Sequence, residues 1–244
     1  MVIDISVWSD IACPWCFVGK QRLAVAVDQL KAEGIEVDIR WRAFELDPRP
    51  KEKDGAPYVE RLAKKYGRSI AQAQEMLDTM AAAIQTAGGP CDFSRVQIAN
   101  TFNAHRLIQW AGATDRAGET DGAQHRLTDG LMRGYLGEGL DLSSAQAMVD
   151  LVDSLGLDAP RAAGVLSSDD FADAVRQDEQ LAQQYGISGV PFFVIGRYGV
   201  SGAQESSTLM QAIRDVHREA AEQEANKSRS LVSDAPACDV DGCD

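Results

Sequence analysis

Residues 13–16 read Cys13-Pro14-Trp15-Cys16, and what flanks them decides how they are used. Upstream, Val2-Ile3-Asp4-Ile5-Ser6-Val7-Trp8 alternates with the period of a β-strand. Downstream, Leu23, Val27 and Leu30 share one helical stripe and Gly34 supplies a C-terminal cap, so a helix is predicted from Pro14 to about Glu33. Cys13 therefore falls where strand gives way to helix. There, free backbone N–H groups and the positive end of the helix dipole stabilise a thiolate. Pro14 suits the first turn, because the N–H it lacks would have had no partner. A thiol so placed drops from a pKa of about 8.5 to roughly 3.5–7.5. Cys16 lies one turn further on the same face, close enough to form a disulfide with Cys13. This spacing favours thiol–disulfide exchange, with Cys13 attacking and Cys16 resolving the mixed disulfide. Two other uses share the spacing: half of a zinc site, which needs two more ligands, and a pair of thiols packed as small hydrophobes.

The bulk properties narrow the setting. The 244 residues are 45% hydrophobic and 25% charged, as in an ordinary globular protein. The formal charge of −13 argues against nucleic acid and against anionic lipid as partners. No apolar run is long enough to span a bilayer, and the first residues enter a strand with no basic and apolar leader. Five cysteines, an odd number, do not resemble a structural disulfide framework. The expectation is a cytoplasmic protein.

Taken in order, Ile35 to Ala43 alternates without a break, a strand with one charged face near a sheet edge. Residues 2–43 thus read β-α-β, with parallel strands and a right-handed crossover. A C-x-x-C beside such a unit reads as a thioredoxin-like redox motif. Phe44 to Pro50 is a connector in which Glu45 and Asp47 are expected to be solvated. From Tyr58 to about Leu166 the pattern is helical, with candidate helices Tyr58–Tyr66, Ser69–Thr86, Ser94–Ala111, Asp115–Leu136 and Ser143–Leu155 punctuated by glycines. Ser167 or Ser168 then caps a helix bearing Phe171, Val175, Leu181 and Tyr185. Val190 to Ala203 reads as a β-hairpin, and a last helix runs to about Ala225. The predicted fold is α/β: a thioredoxin domain of residues 1–56 and 167–225, a helical insertion of residues 57–166, and a flexible C-terminal tail of residues 226–244.

Cys13-Pro14-Trp15-Cys16, Gly189-Val190-Pro191-Phe192-Phe193, Val200-Ser201-Gly202-Ala203 and Asn100-Thr101 with Ala104-His105-Arg106-Leu107 together resemble the DsbA-like family, specifically its FrnE-type branch, over residues 1 to about 225. The resemblance implies a helical insertion over the active-site face and oxidoreductase or isomerase activity on disulfides. It also implies that Pro191, at the head of a strand, is cis. The backbone of Val190 is then free to pair with an extended substrate near Cys13. A sister branch, the kappa-class transferases and hydroxychromene-carboxylate isomerases, uses the scaffold with glutathione. Its members typically lack the full cysteine pair, and this chain keeps both Cys13 and Cys16.

Other residues carry weaker signals. Asp10 is either a proton acceptor during exchange or a loop cap, and His105 reads more readily as a core histidine than as a catalyst. Pro14 and Trp15 shape the face that a substrate would meet, beside Val190 and Pro191. Cys91 is expected to be buried. At the C-terminus, Cys238-Asp239-Val240-Asp241-Gly242-Cys243-Asp244 places a second dithiol around an Asp-Gly turn, and it resembles an accessory pair of some FrnE-type proteins. Negative charge around Cys238 and Cys243 disfavours their thiolates, whereas the helix terminus favours that of Cys13. Electrons are therefore expected to flow from the tail pair into the Cys13–Cys16 disulfide. The same tail is also readable as inert sequence, or as two thiolates of a four-cysteine metal site.

The function expected is a thiol–disulfide oxidoreductase or disulfide isomerase acting on oxidised or misbridged proteins, used against oxidative stress. It works as monomer or homodimer, with no metal and no organic cofactor, and with glutathione or another thiol as electron donor. The alternatives are a glutathione-linked small-molecule or polyketide-tailoring enzyme, and a non-redox chaperone or metal-binding module.

Overall fold

The computed structural model describes residues 2–49, 55–120 and 122–233. It opens with β1 (Val2–Ser9), α1 (Pro14–Ala32) and β2 (Glu36–Ala43). The strands are parallel, with Val2 opposite Glu36 and Ser9 opposite Ala43. Helix α1 ends as predicted at Gly34, whose φ of 78° admits the reversal while its N–H and that of Ile35 bond back to Lys31 and Leu30. After the helical segments come β3 (Phe192–Ile195) and β4 (Tyr198–Ser201), an antiparallel hairpin whose first strand pairs antiparallel with β1. The described strands form one sheet in the order β2-β1-β3-β4, which leaves β2 at an edge. This is the thioredoxin fold that the sequence predicts, with its helical insertion.

The insertion contains α2 (Tyr58–Tyr66), α3 (Ile70–Thr86), α4 (Phe102–Arg116), α5 (Ala123–Arg133) with a π-helical turn at Gly134–Glu138, α6 (Ala145–Ser154) and α7 (Ala159–Ser167). Then follow α8 (Ala172–Gln184) and, after the hairpin, α9 (Ser206–Ser233). A single buried apolar cluster runs from Ile5 and Val7 of β1 through Phe17 of α1 to Leu107, Leu131 and Val165 of the insertion, and to Leu209 and Ile213 of α9. On the opposite face, Trp8 packs with Ala182 and Ile187.

Several predicted boundaries are corrected, each by a side chain that bonds to the backbone. The helix expected from Ser94 begins at Phe102. Asn100 Oδ1 accepts the Phe102 N–H, and Asn100 Nδ2 donates to Glu45 and to the Pro48 carbonyl, which fixes the preceding loop. Ser94 instead donates its N–H and hydroxyl to Asp92. Gly112, read as a break, lies inside α4, and Asp115 does not start a helix. Its carboxylate accepts the N–H groups of Ala123 and Gln124 and so caps α5. Neither Ser167 nor Ser168 caps α8. Buried Arg106 donates to the carbonyls of Val165, Ser168 and Asp170, which closes α7 there, and α8 begins after Phe171 in the left-handed region. The last helix runs on to Ser233 instead of stopping near Ala225.

Candidate active site

Strand β1 carries Asp10, at its exit, and Cys13 to one end of the sheet. Cys13 is the N-cap of α1, with extended backbone and Pro14 directly behind it. The main-chain N–H of Cys13 donates to the Asp10 carbonyl at 3.1 Å, and the Cys13 carbonyl accepts from Cys16 at 3.0 Å. This short turn sets both sulfurs on the inner side of the helix. Hydrogen bonding from the Cys16 thiol, joined by the N–H groups of Cys16 and Trp15, holds the Cys13 thiol below its ordinary pKa. Burial and the Asp10 charge oppose this. Burial, with the hydrogen bond to Cys13 and its charge, pushes Cys16 well above the ordinary thiol value. The two sulfurs are thus displaced in opposite directions, the Cys13 thiol down and the Cys16 thiol up, the asymmetry that exchange uses.

The peptide bond Val190–Pro191 is cis. Cys13 Sγ lies 3.7 Å from the Val190 carbonyl, to which the thiol donates. The approach of α1 to this loop depends on Gly19. A Cβ there would stand 2.9 Å from Pro191 Cγ and 3.2 Å from Phe193 Cζ, so a side chain at 19 would push the two apart. The structure therefore brings Cys13, Cys16, Pro14, Trp15, Val190 and Pro191 together. Trp15 is 40% exposed, whereas Cys13 is only 6% exposed. Its sulfur does not stand on the outer surface. It belongs to the lining of a cavity of about 920 Å³, with Trp15, Tyr58, Leu62 and Tyr135 among the other walls.

Other sequence expectations fare differently. Glu45 is not solvated but buried, and it receives Asn100 Nδ2 at 3.1 Å and Arg176 Nη1 at 3.3 Å. Cys91 is only partly buried, and its thiol is pushed up to about 11 by burial and by Asp92. Asp10 and His105 both lie behind the dithiol, with His105 Nε2 3.4 Å from Asp10 Oδ1, a juxtaposition the sequence reading missed. Burial alone would raise the Asp10 carboxyl, but His105, the Leu46 N–H and the Thr101 hydroxyl outweigh it and hold Asp10 below the usual carboxylate range. Cys238 and Cys243 lie outside the described residues. Among the described residues, no three His, Cys, Asp or Glu side chains gather as metal ligands, and no helix is long and apolar enough to cross a membrane.

Comparison with known proteins agrees with this geometry. The DSBA-like thioredoxin domain family matches residues 4–214. The structure is similar to that of the probable DsbA oxidoreductase of Streptomyces coelicolor, at 34% identity, covering 99% of this chain and 98% of that one, with a TM-score of 0.76. Two more distant structures share the fold. One is a 2-hydroxychromene-2-carboxylate isomerase, at 16% identity over 91% of this chain and 99% of that one, with a TM-score of 0.63. The other is the cytosolic disulfide reductase DsbM of Pseudomonas aeruginosa, at 15% identity over 91% and 98%, with a TM-score of 0.57. DsbM has also been solved with glutathione.

Proposed function

The chain belongs to the DSBA-like thioredoxin domain family, whose members include thiol–disulfide oxidoreductases, and from that premise we propose that it reduces or isomerises disulfides of protein substrates, as a FrnE-type enzyme of the cytoplasm serving oxidative-stress defence. The observation that carries this reading is the placing of the two sulfurs, Cys13 at the helix N-cap against the Val190 carbonyl and Cys16 buried one turn behind it, with the Cys13 thiol shifted down and that of Cys16 up. The Cys13 thiolate attacks a substrate disulfide. A Cys13–substrate disulfide forms and the other substrate sulfur leaves as a thiolate. Cys16 then loses its proton and attacks Cys13 Sγ, which breaks the mixed disulfide and releases the second substrate sulfur. Two electrons have passed from the dithiol to the substrate, and an external thiol must restore them. Glutathione, bound in one structure of DsbM, is the candidate donor.

Pro14, Trp15, Val190 and Pro191 form the substrate-side wall in this reading, with the exposed Trp15 indole meeting the incoming chain. The tail pair Cys238 and Cys243 acts as an auxiliary dithiol that passes electrons to the Cys13–Cys16 disulfide, in the direction its acidic surroundings favour. Insulin reduction and refolding of scrambled ribonuclease test the assignment. Activity should vanish in Cys13→Ser, and Cys16→Ser should accumulate a mixed disulfide with substrate. Wild-type protein inert in both assays sinks the reading. A second reading, glutathione-linked action on a small molecule, draws on the cavity beside Cys13, whose volume of about 920 Å³ suits such a ligand. It would be favoured by glutathione binding without turnover of either protein substrate.

A further inference from the structure

Behind the dithiol, a buried acid and a buried imidazole face each other, and the exchange steps above give neither a role. Asp10 and His105 are each 2% exposed. His105 Nε2 stands 3.4 Å from Asp10 Oδ1 yet forms no well-aligned hydrogen bond, which leaves it an unsatisfied buried polar atom. Asp10 is tied to the thiols by its own backbone: its N–H donates to Cys16 Sγ at 3.5 Å, and its carbonyl accepts the Cys13 N–H. Its carboxylate accepts the N–H of Leu46 at 2.8 Å and of Ala12 at 3.4 Å. The position of this carboxylate works against the chemistry. A fixed negative charge close to a thiol that must become a thiolate sets two like charges together in a poorly polarisable interior, unless a cation compensates.

His105 is the group in place that can carry a compensating positive charge. The other titratable groups around the pair are few. Cys13 and Cys16 face it from α1. Tyr58 of α2 and Tyr135 of the π-helical turn feel the Asp10 charge, and both are pushed up by burial, so they stay neutral. Glu45 acts on the imidazole from the connector after β2, and is itself held by Asn100 and Arg176. The Thr101 hydroxyl also lowers the Asp10 carboxyl. Two carboxylates thus act on one imidazole.

We propose that the Asp10–His105 pair is a charge switch behind the dithiol, in which a protonated His105 offsets Asp10 and so permits the thiolate at Cys13. His105 is then a positioning residue that acts through Asp10 and never touches substrate. The proton count follows the redox state. The reduced site holds a Cys13 thiolate, a Cys16 thiol and an imidazolium. On oxidation, two electrons pass to the substrate disulfide. The two protons its sulfurs take up are balanced by one lost from Cys16 and one lost from His105, both by way of solvent. The proposal rests on Cys13 being the attacking thiol.

The test is the rate of Cys13 alkylation by iodoacetamide against pH in the full chain, read by mass of the Cys13 peptide. Asp10→Asn should raise the rate near pH 6 by about tenfold, and His105→Gln should lower it by about as much, since tenfold corresponds to one unit in the thiol pKa. The double variant should stay as fast as Asp10→Asn alone, because His105 has nothing to offset once Asp10 is neutral. A merely structural role predicts changes of one sign. Two variants that both slow alkylation, or whose effects simply multiply in the double variant, overturn the proposal. Should a variant fail to fold, imidazole nitrogen NMR of the wild-type protein decides. His105 should be protonated in the reduced form and lose that proton on oxidation, and a titration blind to redox state overturns the proposal. Because both measurements read the resting protein, failure to turn over insulin would count against the proposed function and leave the pair standing.

Discussion

Two buried aspartates lie near the same end of the sheet, against residues one turn apart on α4, and their surroundings are opposite in kind. Asp178, on α8, is 3% exposed and fully engaged. One carboxylate oxygen takes Arg42 at 2.8 Å, and the other takes the Ala43 N–H at 3.0 Å and Gln109 at 2.8 Å. Its main-chain carbonyl accepts the Trp8 indole N–H at 2.9 Å. The counter-charge is a guanidinium, which does not titrate in a protein. This aspartate joins β2, α4 and α8. Asp10 is buried as deeply, but it faces an imidazole that has no aligned partner and two thiols. Equal burial therefore says little about a carboxylate's purpose. What separates the two is whether the charge opposite is fixed or able to change.

The largest effect should come from breaking the fixed pair. Asp178→Ala leaves Arg42 and Gln109 without their acceptor and should cost about 3 kcal/mol in urea unfolding. The pH profile of Cys13 alkylation should stay where it is. If that profile moved as far as in Asp10→Asn, the two aspartates would not differ in kind. Asp129 offers an intermediate case. It accepts Lys20 Nζ at 2.7 Å and Arg133 Nε at 2.6 Å, and Lys20 is 2% exposed. Burial would raise the Asp129 carboxyl, but these cations hold it below the ordinary range. A depressed carboxyl contributes stability that is present above its unfolded pKa, near 4, and is lost as pH falls through its lower folded value. Asp129→Asn should therefore cost about 1–2 kcal/mol at neutral pH, less than a fully buried pair because water reaches this site, and should flatten the stability curve below pH 4. The smallest effect belongs to Thr101→Val, which removes one hydroxyl from Asp10 at a cost of about 1 kcal/mol. Asp10 is likewise depressed, so losing a donor moves its titration up, and acid destabilisation should set in at a higher pH. Thermal unfolding across pH 2–7 would show this shift.

Periodicity and punctuation made much of the fold legible. The alternation in residues 2–8 and 35–43, the helix between them and the hairpin around Gly196 all stand where the pattern puts them. The errors lie where a side chain overrides the pattern. Asp115 caps α5 from inside α4, and Arg106 closes α7, so the helix ends were misplaced though the helices themselves were not. The dithiol could be read because its parts are adjacent in sequence and helix position alone distinguishes one sulfur from the other. The Asp10–His105 and Asp178–Arg42 contacts could not, because each joins residues distant in the chain. Glu45 was misread for a related reason: a charged residue in a connector looks solvated until Asn100 and Arg176 are placed upon it.

The bare face of α1 at Gly19 has a consequence for the proposed function. With no side chain between the helix and Pro191, the spacing of α1 from the Val190–Pro191 backbone is set by main chain and proline ring alone. Only the Cys13 side chain itself can change the distance from its sulfur to the Val190 carbonyl. In the proposed function, accommodation of a bulky target would then fall to the target itself, or to the helices across the cavity, while the Val190–Pro191 edge keeps its gauge.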